Sequence, residues 1–159
     1  MTIIDGAAIA RDVTEDLRPR VAALHERGVT PGLVAVLVGD NPASLSYVGG
    51  KSRASAKIGI EGRTLRLPAT ISQEDLQAEV ERLNADPAVH GIIVQMPLPE
   101  GLDGDAATSA VLPAKDVDGL HPKNLGLLLR GEGLLLPATP AGVQELLLRS
   151  GTDPAGKHV

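Results

Sequence analysis

Ser44, Tyr47 and Lys51 fall at i, i+3 and i+7, so on a helix they share one stripe. A lysine beside a phenol in a partly apolar cleft is suited to carrying protons. The competing reading is a solvated lysine whose aliphatic stem lies along the ring. Gly49-Gly50 interrupts the stripe, and each glycine costs a helix about 1 kcal/mol relative to alanine. The pair therefore either admits a close backbone neighbour or breaks the helix. A second candidate, Gln95, lies in Val94-Gln-Met-Pro-Leu-Pro99, where it either bonds a ligand or satisfies local backbone. A third is Lys115-Asp-Val-Asp-Gly119, with two carboxylates two residues apart. A calcium loop would need more oxygen ligands and a closing glutamate. The spacing suits one aspartate receiving an amino-pyrimidine-like edge while the other caps the turn. The four histidines lack metal-ligand spacing, so no metal is expected, and only His121, close to Asp118, is a candidate near a site.

These residues need a frame. Apolar residues recur at helical spacing from the capping Asp5 to Arg27, and Gly28 ends the run. Gly32–Gly39 is a Val-rich apolar segment that reads as a buried parallel strand, followed by a helix from about Ala43 to Ile58. Glu61–Leu67 alternates as a second strand, Ser72 starts a helix, and His90–Gln95 is a third strand. This order predicts an α/β fold, a mostly parallel sheet flanked by helices. In such sheets ligands gather beyond the carboxyl ends of the strands, where Asp40–Lys51 and Gln95–Pro99 fall. Beyond Gly101 the pattern weakens: a short helix over Asp105–Val111, turns over Pro113–Asn124, an apolar Leu125–Leu129, and a helix over Pro140–Leu148 with proline first. Gly156-Lys-His-Val159 resembles the onset of a strand, as in a fragment, or else a frayed tail.

Composition narrows the classes. Net charge is −5, which disfavours a general nucleic-acid or anionic-membrane surface. No apolar run is long enough to cross a bilayer and no signal peptide opens the chain, so the cytoplasm is the expected location. With no cysteine there is neither a disulfide framework nor a thiol nucleophile. Tyr47 is the only aromatic residue. No Gly-rich phosphate loop follows a strand, so no dinucleotide site is expected here. The leucines at 134–136 and 146–148 predict self-association of a chain this short, a point that sedimentation of the purified chain checks.

Taken together, the motifs resemble the bifunctional methylenetetrahydrofolate dehydrogenase/methenyltetrahydrofolate cyclohydrolase family. The likeness runs in order through Val38-Gly-Asp-Asn-Pro-Ala-Ser44, Tyr47-x-x-x-Lys51, Gly91-Ile-Ile-Val-Gln-Met-Pro-Leu-Pro99, Pro113-x-Lys-Asp-Val-Asp-Gly119 and Pro137-Ala-Thr-Pro-x-Gly142. The resemblance implies NADP-dependent oxidation of 5,10-methylene-tetrahydrofolate, then hydrolysis to 10-formyl-tetrahydrofolate for purine biosynthesis. Lys51 would be the acid/base and electrostatic residue, Tyr47 would stack near the folate, Gln95 would hold and tune Lys51, and Asp118 would bond the pterin. Ser44, Met96 and Pro97 would contact substrate.

The resemblance also implies a catalytic, folate-binding unit over residues 1–137. Residues 138–159 would be the onset of a Rossmann-like NADP-binding domain whose remainder, with every cofactor-binding residue, is not in this chain. A homodimer is expected of the full-length protein. Ala138 stands where many members carry cysteine, and Met96 where leucine is common. Two further readings stay open: a folate-binding fragment without catalysis, and a structural domain whose motifs are relics.

Overall fold

A computed structural model of the chain describes residues 3–133 and 135–158. Helix α1 (Gly6–Glu26) starts where Asp5 accepts from the Ala8 amide at 2.9 Å. Strand β1 (Gly32–Val38), helix α2 (Pro42–Lys57), strand β2 (Glu61–Leu67), helix α3 (Gln73–Ala85) and strand β3 (Gly91–Val94) follow in alternation. The three strands form one parallel sheet in the order β2-β1-β3, as the alternation predicts. Short helices α4 (Gly104–Ser109) and α5 (Pro122–Leu129) lead to α6 (Ala138–Arg149).

β1 is apolar throughout because both of its faces are covered. Val34, Val36 and Val38 point to one face, against Leu76, Val80 and Leu83, the inward stripe of α3. Ala35 and Leu37 point to the other, against Val48 of α2 and Ile93. Ser72 begins α3 by accepting the Asp75 amide at 3.0 Å, the expected cap. α2 carries Ser44, Val48 and Ser55 inward, which leaves Tyr47 and Lys51 on its flank beyond the sheet's carboxyl edge.

The second half departs from expectation in three places. α5 forms over residues that carry only an apolar signal. Pro122 supplies its first turn, and the His121 ring caps it by accepting the Lys123 amide through Nδ1 at 3.0 Å. α6 starts at Ala138, two residues before the expected Pro140, which sits in the first turn where a missing N–H costs nothing. Lys157 and His158 lie in no strand after the turn at Gly156, and Val159 lies outside the described residues. α6 rests on α1 through Arg149–Asp16 at 2.8 Å, and Leu146 lies beside Gly6.

α2 also runs unbroken through Gly49-Gly50. A methyl group on Gly50 would meet nothing within 4 Å, so neither a helix break nor a close backbone neighbour accounts for the pair. No helix among the described residues is long and apolar enough to cross a membrane. Leu129 is 90% exposed, and Leu136 and Leu148 are exposed; Leu134 of the expected cluster lies outside the described residues.

Candidate functional site

The string Lys115–Gly119 builds the site, and each of its residues has a separate task. Lys115 Nζ donates to the carbonyls of Leu83, Asn84 and Asp86 at 3.2, 2.7 and 2.8 Å, closing the C-terminal end of α3. Asp116, only 2% exposed, accepts from the Leu120 and His121 amides at 3.3 and 2.8 Å and from Asn124 Nδ2 at 2.8 Å. It is the aspartate that caps the turn. The Ile92 amide donates to Lys115 O at 2.8 Å, so this loop is tied to the outer edge of β3. Val117 lies over Gly91, where a Cβ would approach it to 2.6 Å.

Gly119 takes φ +68°, and a Cβ there would come within 2.5–2.6 Å of the backbone at Leu136 and Pro137. Only glycine fits both the dihedral and the space. The Ala138 amide donates to Asp118 O at 3.2 Å, which fastens the start of α6 to the same turn.

Asp118 is thereby placed in a cavity of about 380 Å³. Tyr47 and Lys51 of α2 and Gln95 beyond β3 form one side; Leu120, Pro137 and the first turn of α6 close the other. Four of the residues singled out in the sequence therefore share one space: Tyr47, Lys51, Gln95 and Asp118. Tyr47 is 69% exposed, so its ring is open at the mouth. Lys51 Nζ makes no hydrogen bond or ion pair with any described residue. Of its two alternatives, Gln95 shows the local backbone one. Its Nε2 donates to Met96 O at 2.7 Å, while Oε1 is buried without a partner. A direct Gln95–Lys51 hydrogen bond is not formed.

Ser44, Met96 and Pro97 do not line this cavity. Ser44 is 3% exposed, turned inward in the first turn of α2 where Asn41 Oδ1 accepts its amide at 3.3 Å. Met96 packs on the core beside Gly104, and Pro97 follows it through a cis bond. His121 serves as the cap of α5 and is not a lining residue. Leu120, Pro137, Thr139 and Pro140 were not among the candidates. Their signal is the Asp-Gly pair and the Pro-Ala-Thr-Pro string, which meet only in three dimensions.

Burial raises the Asp118 carboxyl above the usual range; Lys51 opposes this and Asp116 reinforces it. The folded chain holds that proton more tightly than the unfolded chain does. Its contribution to stability therefore falls as pH rises through the Asp118 range. Asp118→Asn should flatten the pH dependence of Tm from the ordinary carboxylate range upward. An unchanged profile would contradict this placement.

The described residues do not fit a dinucleotide diphosphate. In the turn after β1, the Ala43 and Ser44 amides are taken by Asn41 Oδ1. α3 opens with Glu74 and Asp75, and the segment after β3 leads to Asp103 and Asp105. No group of His, Cys, Asp and Glu among the described residues is arranged to hold a metal.

The fold is a parallel α/β sheet with Tyr47, Lys51, Gln95 and the half-buried Asp118 carboxyl around one cavity. Residues 4–118 match the family described as tetrahydrofolate dehydrogenase/cyclohydrolase, catalytic domain, and the chain belongs to that family. It is 50% identical over 157 residues to bifunctional protein FolD 1 of Myxococcus xanthus, covering 98% of this chain and 54% of that protein. The bifunctional enzyme FolD-methylenetetrahydrofolate dehydrogenase/cyclohydrolase from Campylobacter jejuni superposes with TM-score 0.95 at 40% identity, covering 99% of this chain and 56% of that one. The Trypanosoma brucei N5,N10-methylenetetrahydrofolate dehydrogenase-cyclohydrolase, solved with NADP cofactor and inhibitor, gives TM-score 0.92 at 41% identity, covering 98% and 54%. The chain thus spans about half the length of the relatives it matches.

Proposed function

We propose that this chain binds reduced folates in the Tyr47–Asp118 cavity and carries the cyclohydrolase chemistry of one-carbon metabolism. The observation that supports it most is the convergence of Tyr47, Lys51, Gln95 and Asp118 on one space at the sheet's carboxyl edge. Asp118 accepts from the amino-pyrimidine edge of the pterin, and the exposed Tyr47 ring stacks on the flat part of the ligand. Water adds to the amidinium carbon between N5 and N10. Of the two protons that water gives up as its oxygen becomes the formyl oxygen, Lys51 shuttles one to N5 as the N5–carbon bond breaks and the other passes to solvent, leaving the formyl group on N10. Gln95 Oε1 is the acceptor available to hold the Lys51 ammonium during that transfer. Ser44, Met96 and Pro97 act in this reading by shaping the frame behind the contacts.

In the whole enzyme the preceding step is oxidation of the methylene bridge with NADP. The residues described here do not fit that cofactor. Residues 1–137 would form the folate unit and 138–159 would lead into a nucleotide-binding unit, in a cytoplasmic homodimer. Disappearance of 5,10-methenyl-tetrahydrofolate should be faster with the purified chain than in buffer alone. Equal rates, with tetrahydrofolate still bound, would favour a folate-binding unit that needs a second wall for catalysis.

A further inference from the structure

A second hollow of about 590 Å³ adjoins the first, and both are bounded by Tyr47 and Lys51. Its remaining lining is Ser46, Gly50, Arg53 and Ala54. Ser46, Gly50 and Arg53 fall at i, i+4 and i+7, so they form one stripe beside the Tyr47–Lys51 stripe. Gly50 leaves the floor of this hollow open, since a Cβ there would meet nothing within 4 Å. Gly49 lets the Arg53 guanidinium lie back along the helix, where a Cβ would stand 3.3 Å from Nη1. None of the ion pairs among the described residues involves Arg53. Two helix-weakening glycines and an unpaired guanidinium thus coincide at the mouth of the folate cavity, in a chain of net charge −5.

A reduced folate is polar at both ends in opposite senses. Its pterin presents N–H donors, which suit Asp118, and its glutamyl tail presents carboxylates, which Asp118 repels. With the pterin inside and the ring of Tyr47 at the mouth, the tail must leave past Tyr47. We propose that the glutamyl carboxylates of the folate lie in the Gly50 hollow with Arg53 as their cationic partner. The inference rests on the folate reading above. It gives the glycine pair a reason: side chains at 49 and 50 would crowd the guanidinium and fill the floor.

The test compares binding of tetrahydropteroate, which has no tail, with its triglutamyl conjugate. The 159-residue chain, Arg53→Gln and Gly50→Leu are each titrated at low and high salt. The conjugate should bind the unaltered chain about fivefold tighter at low salt, the size of an exposed charge-assisted pair. High salt should erode that gain. Arg53→Gln and Gly50→Leu should bring the two ligands to within about twofold of each other, with tetrahydropteroate affinity unchanged in Arg53→Gln. Tetrahydropteroate binding with no gain from the tail, or a gain that survives Arg53→Gln, would overturn this inference and leave the folate reading standing. Binding of neither ligand would overturn both.

Discussion

Lys51→Met should slow hydrolysis of 5,10-methenyl-tetrahydrofolate by about 10²- to 10⁴-fold, the range of a positioned acid/base group. The chain should stay folded, because Lys51 Nζ makes no hydrogen bond with any described residue and methionine keeps the stem's volume. Affinity for tetrahydrofolate should change little, since Tyr47 and Asp118 remain in place. A loss in turnover with binding kept separates an enzyme from a folate carrier. Equal rates for Lys51→Met and the unaltered chain would remove Lys51 from the chemistry. The absorbance of the methenyl cation, followed in both proteins at matched concentration, reads this directly.

Asp116→Ala should damage the fold severely. It strands three donors at once: the Leu120 and His121 amides and Asn124 Nδ2. A buried donor left without a partner costs roughly 1–3 kcal/mol; with the Asn124 bond buried and the two amide bonds part-buried, a loss of about 3 kcal/mol is expected. That is a large share of the 5–15 kcal/mol typical of whole domains, as an order of magnitude. Asn124 also donates to Pro113 O at 2.9 Å, so the damage spreads to the loop that carries Asp118. Lys115→Met removes the charged cap of α3 and should cost less, about 2 kcal/mol. Urea unfolding of the two variants ranks them; a milder effect for Asp116→Ala would contradict the role assigned to its carboxylate.

The first half of the fold was legible because local signals and packing agree there. The Val-rich run after Gly32 is apolar because helices cover both faces of β1, and Ser72 caps the helix it was expected to start. α5 escaped notice because its cap is a histidine ring rather than a usual capping residue, and because it is only eight residues long with a glycine inside it. The start of α6 was misplaced because proline is tolerated anywhere in a first turn. Spacing alone put Tyr47 and Lys51 on one stripe, and the Lys-Asp-Val-Asp-Gly string distinguished a capping aspartate from an outward one without saying which was which. The far wall of the cavity was hidden for a different reason. It depends on Gly119 lying against Leu136 and Pro137, a contact between segments distant in sequence that no local pattern reports.

Titration of the purified chain with tetrahydrofolate, repeated with Asp118→Asn and across pH, tests the central claim most directly. One ligand per chain should bind, and Asp118→Asn should weaken it because one of the two acceptor oxygens becomes an NH2 donor that faces an N–H of the pterin edge. Affinity for the unaltered chain should fall on acidification, beginning at a higher pH than an ordinary carboxylate would give, because burial raises the Asp118 carboxyl and the ligand prefers its ionised form. No binding, or binding indifferent to both Asp118→Asn and pH, would contradict the assignment of this cavity as a folate site.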